Sequence, residues 1–173
     1  TVQKAQKSDI DGIEKIYDRI HDSEEQGLST IGWIRGVYPT RKTAEAALER
    51  GDLFVMLDDG NVVAAAVINQ TQVYEYKDAA WKYAAEDREV MVLHCLVVDP
   101  LKGGKGYGRA FVAYYEDYAK QHGCPALRMD TNVKNTRARK LYHTLGYEEV
   151  GIVQCIFNGI PNVQLVCLEK YLG

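Results

Sequence analysis

The chain holds only four cysteines, Cys95, Cys124, Cys155 and Cys167, and no two of them stand as a C-x-x-C pair. Thiolate metal sites and dithiol redox chemistry rest on that spacing, so no metal is expected and the thiols read as reduced, buried core residues of a cytoplasmic protein. No apolar run approaches eighteen residues and no signal-peptide pattern is present, which speaks against a membrane partner and against secretion. One-sided charge is missing too: 21 Lys and Arg against 24 Asp and Glu leave −3. With no lysine–arginine cluster to outweigh that balance, a nucleic-acid partner is not expected. What remains, at 173 residues and 46% hydrophobic content, is one ordinary globular domain spanning 1–173.

The most informative stretch runs from Glu89 to Arg109, EVMVLHCLVVDPLKGGKGYGR. Its first half is nearly continuous Val, Leu and Met, as in a buried central strand, and Asp99-Pro100 ends it. Gly103, Gly104, Gly106 and Gly108 follow, and then Tyr107, Ala110, Phe111, Tyr114, Tyr115 and Tyr118 mark one face of a helix. A glycine loop opening a helix is an anion site, because the first amides of a helix lack partners and carry the positive end of its dipole. Lys102, Lys105 and Arg109 add cations there, so a phosphate-bearing cofactor is implied. Two phosphate motifs fail on spacing. Gly104-Lys105 is followed by Gly106 rather than the Ser or Thr of a Walker loop, and neither G-x-G has the third glycine of a dinucleotide fingerprint.

The stretch resembles motif A of the GNAT superfamily of acyl-CoA-dependent N-acyltransferases: Arg or Gln, any two, Gly, any one, Gly or Ala. Here the match is Gly103-Gly104-Lys105-Gly106-Tyr107-Gly108 after VVDP, with Gly103 where Arg or Gln is usual and Lys102 beside it. A second motif of the same superfamily is matched from Asn135 to Tyr147, N-x-x-A-x-x-L-Y-x-x-L-G-Y. The resemblance implies a GNAT fold in the α/β class, a mixed central sheet of about six to seven strands flanked by helices. It also implies acetyl-CoA, or coenzyme A, as the cofactor.

The rest of the chain fits that order. Ser8 and the acids after it read as a helix start with Ile10, Ile13, Ile16, Tyr17 and Ile20 as its apolar stripe. Gly27 to Arg41 reads as a loop, and a short helix from Thr43 to Arg50 ends at Gly51. Leu53 to Leu57 and Val62 to Asn69 flank a hairpin turn. Residues 70 to 88 read as a loop or lid, Ala126 to Thr131 as a strand, and Asn135 as the cap of a helix ended by Gly146. Tyr147 to Phe157 and Val163 to Glu169 read as a closing hairpin around Asn158-Gly159.

The site residues follow from chemistry and resemblance together. An alkylamine of pKa about 10 is a free base in roughly one molecule per thousand at neutral pH, a handicap near 4 kcal/mol, so a base or a dehydrating pocket is required. His94 interrupts the apolar strand and suits that work, or is a hydrogen-bonded core residue; Glu89 is the alternative base. LHCLVV is similar to the strand of a superfamily member in which a histidine lies on the proton-removal path. Tyr142 stands at the superfamily's general-acid position, where it would protonate a departing thiolate, or else packs on the helix stripe. The resemblance gives Leu96, Val97 and Val98 to the acyl carbonyl and the pantetheine arm, joined by Asn132, Asn135 and Tyr142, and Gly103 through Arg109 to the pyrophosphate. Trp33, Arg35 and Tyr38 either seal the core edge or face the acceptor, whose pocket that region flanks in the superfamily. The expected partner is a small-molecule or peptide amine, with a homodimer left open; the alternative is a module that binds acyl-CoA without chemistry.

Overall fold

The chain opens with a strand and not with the expected helix. In the computed structural model, which describes residues 1–173, β1 (Val2–Lys4) pairs antiparallel with β2 (Leu53–Asp58). Helix α1 (Ile10–Glu25) follows, and its start is not capped by Ser8. A 3-10 turn over Lys7–Asp9 precedes it, held by the Gln6 amide donating to Asp9 Oδ2 at 2.7 Å. Helix α2 (Arg41–Arg50) begins two residues earlier than its sequence pattern suggests, because Thr40 rather than a later residue supplies the reciprocal cap with Thr43.

β2 turns into β3 (Asn61–Asn69) through Asp59 and Gly60, whose φ values of 51° and 77° are those of a two-residue hairpin whose twist matches its strands. β4 (Val90–Val98), α3 (Tyr107–Gln121) and β5 (Ala126–Asn132) form a parallel crossover, and α4 (Thr136–Thr144) follows. The Asn135 side chain caps α4 by accepting from the Ala138 amide at 3.1 Å. β6 (Glu148–Phe157) and β7 (Ile160–Tyr171) close the chain around Asn158 and Gly159, with φ of 52° and 81°. The seven strands lie in the order β1-β2-β3-β4-β5-β7-β6, so the last strand inserts beside β5 and leaves β6 at the edge. The mixed sheet and its flanking helices are those of the expected fold class.

Each face of the sheet carries its own core. On one, Ile10, Ile13, Ile16 and Ile20 of α1 press on Leu53, Val55, Ala65 and Val67, each fully buried isoleucine contributing about 2 kcal/mol over exposure. Close approach is possible because α1 presents Gly12 to β3, where a Cβ would sit 3.0 Å from Val62 Cγ2. On the other, Phe111, Val112 and Tyr115 of α3 and Tyr142 of α4 cover Met91, Leu93, Leu127 and Met129.

Residues 70–88 are not a free lid. Tyr76 is buried, its hydroxyl donates to Asp130 Oδ2 at 2.6 Å, and Trp81 Nε1 donates to the Tyr76 carbonyl at 2.7 Å. All four thiols are free; Cys124 and Cys167 are buried, while Cys95 and Cys155 are only half-buried. No helix is long and apolar enough to cross a membrane, and no cluster of His, Cys, Asp and Glu is placed to hold a metal ion.

Candidate active site

The site exists because β4 and β5 part. Their parallel pairing runs from Val90↔Ala126 to Leu93↔Met129 and stops, while β4 continues to Val98 and β5 stays with β7 as far as Asn132↔Leu165. The parting begins where β4 carries an extra residue. His94 faces Val67 and Val97 faces Ala65, so one more residue lies on β4 than on β3, and Cys95 takes φ of 51°. Such a bulge bends and twists the strand that contains it. It also resets the alternation, so that Cys95 joins the α1 face, Leu96 the α3 face and Val97 the α1 face again. The open edge of β4 and the splayed end of β5 bound a cleft of about 1350 Å³.

One end of the cleft is built for an anion. None of the backbone amides from Gly103 to Arg109 donates to a protein group; the first helical bond is Ala110 N to Gly106 O at 3.0 Å. Gly104 and Gly106 hold φ of 78° and 75°, and a Cβ on either would meet nothing within 4 Å. The space over the loop is therefore open, and Lys102, Lys105, Arg109 and Arg137 line it. Gly108 needs no special φ; its added Cβ would lie at ordinary contact, 3.5 Å from Leu141 Cδ2. Leu96, Val97, Val98 and Tyr107 border the same end, although Val97 is itself buried under α1. The loop, the unpaired amides and the cations together fit a pyrophosphate-bearing cofactor.

Tyr142 lies where the two halves meet. Among the three buried tyrosines on this face, Tyr115 donates to the Met91 carbonyl at 2.6 Å and Tyr147 to Glu116 Oε2 at 2.8 Å. The Tyr142 hydroxyl has no such partner, and of the three only Tyr142 lines the cleft. Burial, then Asp130 and Cys95, push its pKa up, so it stays a protonated donor.

The other end gathers Trp33, Tyr38, Phe157, His94, Cys95 and Asp130. Trp33 and Tyr38 meet edge to face at 5.8 Å. Glu24 fixes their loop by accepting from the Ile31 and Gly32 amides at 2.8 and 3.0 Å. Gly32, at φ 86°, lies so close to Asn132 that a Cβ there would be 2.3 Å from Nδ2, and Asn132 Oδ1 is already taken by the Lys134 amide at 2.9 Å. Asn135 also reaches the cleft while capping α4.

The structure brings His94 into this end, with an environment unlike free imidazole. Asn69 Oδ1 accepts from the Thr71 amide at 3.0 Å and its Nδ2 donates to Asp52 Oδ2 at 2.9 Å, which fixes the amide's orientation. His94 Nε2, 2.7 Å from that Oδ1, is therefore the donor, and Nδ1 carries the lone pair. Burial lowers the His94 pKa to about 4, Arg50 adding to the shift and Asp52 and Thr71 opposing it.

Two sequence candidates lie elsewhere. Arg35 is outside the cleft lining, and its guanidinium is bound to Asp22 and Glu25 of α1, to Glu25 Oε2 at 3.0 Å. Glu89 stands at the opposite end of β4, accepting from the Glu86 amide at 3.1 Å. Residues that went unforeseen include Arg137 and Phe157, which line the cleft, and Asp130, whose carboxyl is pushed up to about 6 by burial against a hydrogen bond from Tyr76 that lowers it. The only signal for Asp130 in the sequence is an acid inside the strand segment Arg-Met-Asp-Thr-Asn.

The sequence profile described as the "Acetyltransferase (GNAT) family" matches residues 13–147. The chain is 26% identical over 159 residues to the uncharacterized N-acetyltransferase YhfO of Bacillus subtilis, covering 91% of this chain and 96% of that one. It is 35% identical over 77 residues to an uncharacterized N-acetyltransferase of Methanocaldococcus jannaschii, a match over 44% of this chain and only 34% of that protein's length. A GNAT-family acetyltransferase structure from Streptococcus agalactiae superposes with a TM-score of 0.81 at 20% identity, covering 99% of this chain and 94% of the other.

Proposed function

The chain belongs to the GNAT acetyltransferase family and is an acetyl-CoA-using acyltransferase, and from that premise we propose that it acetylates a primary amine of a small molecule or peptide by direct attack. The observation that carries the reading is the run of unpaired amides from Gly103 to Arg109 at one end of a cleft whose other end holds polar and aromatic groups. When bound, acetyl-CoA supplies an activated acyl carbon and a thiolate leaving group. Gly103 through Arg109, with Lys102 and Arg137, would bind its pyrophosphate, and Leu96, Val98, Asn132 and Asn135 border the path of its arm. Tyr142 holds a proton on its hydroxyl at the junction of the two halves, available to a departing thiolate. His94 keeps a neutral ring with Nδ1 free on the proton path, and Trp33 and Tyr38 offer apolar surface to an acceptor.

Thermal shift and a thiol-release assay test this together. Acetyl-CoA should raise the melting temperature far more than NAD or ATP at equal concentration, and an amine panel should release free CoA thiol from it. Equal shifts from all three would remove the cofactor assignment. Acetyl-CoA binding without transfer to any amine would favour the alternative, a binding module without chemistry.

A further inference from the structure

The anion loop begins at a buried carboxylate. Asp99 follows β4 directly, is 3% exposed and lines the cleft at the end where Gly103 to Arg109 lie. Its backbone is fixed on both sides, the amide donating to the Val63 carbonyl at 2.8 Å and the carbonyl accepting from the Lys102 amide at 2.9 Å. Its side chain is fixed as well. Oδ1 accepts from the Leu101 amide at 3.0 Å and so caps the 3-10 turn Pro100–Lys102, and Oδ2 accepts from Arg19 Nη1 at 2.8 Å. Arg19 stands on α1, 80 residues earlier, against the sheet face opposite α3. It makes no other ion pair, and it is the one cation paired with Asp99: Lys102, Lys105, Arg109 and Arg137 line the cleft without bonding that carboxylate.

A negative group at the foot of a pyrophosphate cradle works against it, because like charges in a partly desolvated cleft repel. The turn nevertheless uses that group, since the carboxylate is what holds the Leu101 amide. We propose that Arg19 is a positioning residue for the cofactor: it neutralises Asp99, so that the turn built on this carboxylate presents the Gly103 to Arg109 amides to a pyrophosphate without repelling it. The inference rests on placing the pyrophosphate of acetyl-CoA on that loop. Arg19 acts through Asp99 and not by contact, since it is outside the cleft lining. An asparagine at 99 could accept from Leu101 with no charge to neutralise, so the role of Arg19 depends on the acid being there. Removing the arginine alone strands a buried charge; removing both leaves the turn neutral.

The test is a calorimetric cycle of CoA affinities over the wild type, Arg19→Met, Arg19→Lys and the double variant Arg19→Met/Asp99→Asn. Arg19→Met should weaken CoA by about tenfold or more, because the stranded carboxylate faces the ligand's own charge. Arg19→Lys should restore most of the loss, and so should the double variant, which removes the stranded charge. A double variant no tighter than Arg19→Met, or an Arg19→Met with unchanged affinity, overturns the proposal. Should Arg19→Met not fold, the double variant decides: affinity within about threefold of the wild type supports the proposal, and a loss of about tenfold overturns it. For an amine the wild type acetylates, Arg19→Met should raise the KM for acetyl-CoA with kcat within about twofold, and should use S-acetylpantetheine, which has no phosphate, as the wild type does. Equal losses with both donors would overturn the proposal. CoA affinity that falls in Gly106→Val but not in Arg19→Met rejects the role of Arg19 and keeps the loop; affinity unmoved by both rejects the loop as well. A wild type that acetylates nothing would defeat the acetyl-transfer reading and leave the affinity cycle to decide on Arg19.

Discussion

Replacing Asp130, which lines the cleft, by asparagine should make the protein more stable. The folded carboxyl is raised from 3.8 to about 6, chiefly by burial, so the native state binds the proton more tightly than the unfolded chain. The favourable contribution is complete below pH 3.8 and is lost as pH rises through about 6. At pH 8 the wild type therefore carries the whole cost of an ionised, unpaired carboxylate: a difference of about two pKa units, or about 3 kcal/mol as a ceiling. Asparagine keeps the shape and can still accept from the Tyr76 hydroxyl at the same place, but has no charge to bury. Urea unfolding at pH 8.0 and pH 4.0 reads the effect. The variant should be the more stable by about 1 to 3 kcal/mol at pH 8.0 and nearly equal to the wild type at pH 4.0, each kcal/mol moving Tm by about 2–4 °C. A variant less stable at pH 8.0, or an advantage that does not change with pH, would refute the reasoning.

His94 should show the opposite slope. Its folded pKa of about 4 lies below the unfolded value of 6.5, so its contribution is intact above pH 6.5 and is lost as pH falls through 4, up to about 3 kcal/mol. Unfolding curves of His94→Gln between pH 7 and 4 should be less acid-sensitive than those of the wild type; parallel curves would mean the ring is not held neutral. Gly106→Val forces a β-branched residue to φ 75° and fills open space over the loop, so calorimetry should find CoA affinity reduced by tenfold or more, as about 1.4 kcal/mol of strain or lost contact suffices. Gly108→Ala, which meets only ordinary contacts within the protein, should leave the fold's Tm within a few degrees, and unfolding well below that would contradict the packing described.

Local signals in the sequence carried much of this structure. The isoleucines at 10, 13, 16 and 20 mark the buried stripe of α1, Asp59-Gly60 and Asn158-Gly159 mark both hairpins, and Asn135 marks the start of α4. The glycine loop and the Tyr142 segment were legible because each is a short motif whose chemistry depends on neighbours in sequence. What was hidden is non-local. Three residues of β1 become a strand only because β2 offers an edge to pair with. The bulge at Cys95 and the parting of β4 from β5 depend on the register of three strands. Arg35 looked like an acceptor ligand until α1 placed Asp22 and Glu25 against it, and Asp130 gained its character only when Tyr76, 54 residues earlier, closed over it.

The acid role belongs to Tyr142, whose hydroxyl, unlike those of Tyr115 and Tyr147, has no partner in the chain and whose ring lines the cleft. Amine-dependent release of CoA thiol from acetyl-CoA, measured beside CoA affinity in the wild type and in Tyr142→Phe, tests it directly. The predicted result is turnover lower by about a hundredfold or more in the variant, with affinity within a few-fold of the wild type. Full turnover by Tyr142→Phe would contradict the assignment of the acid, and a wild type that binds no acetyl-CoA would contradict the site.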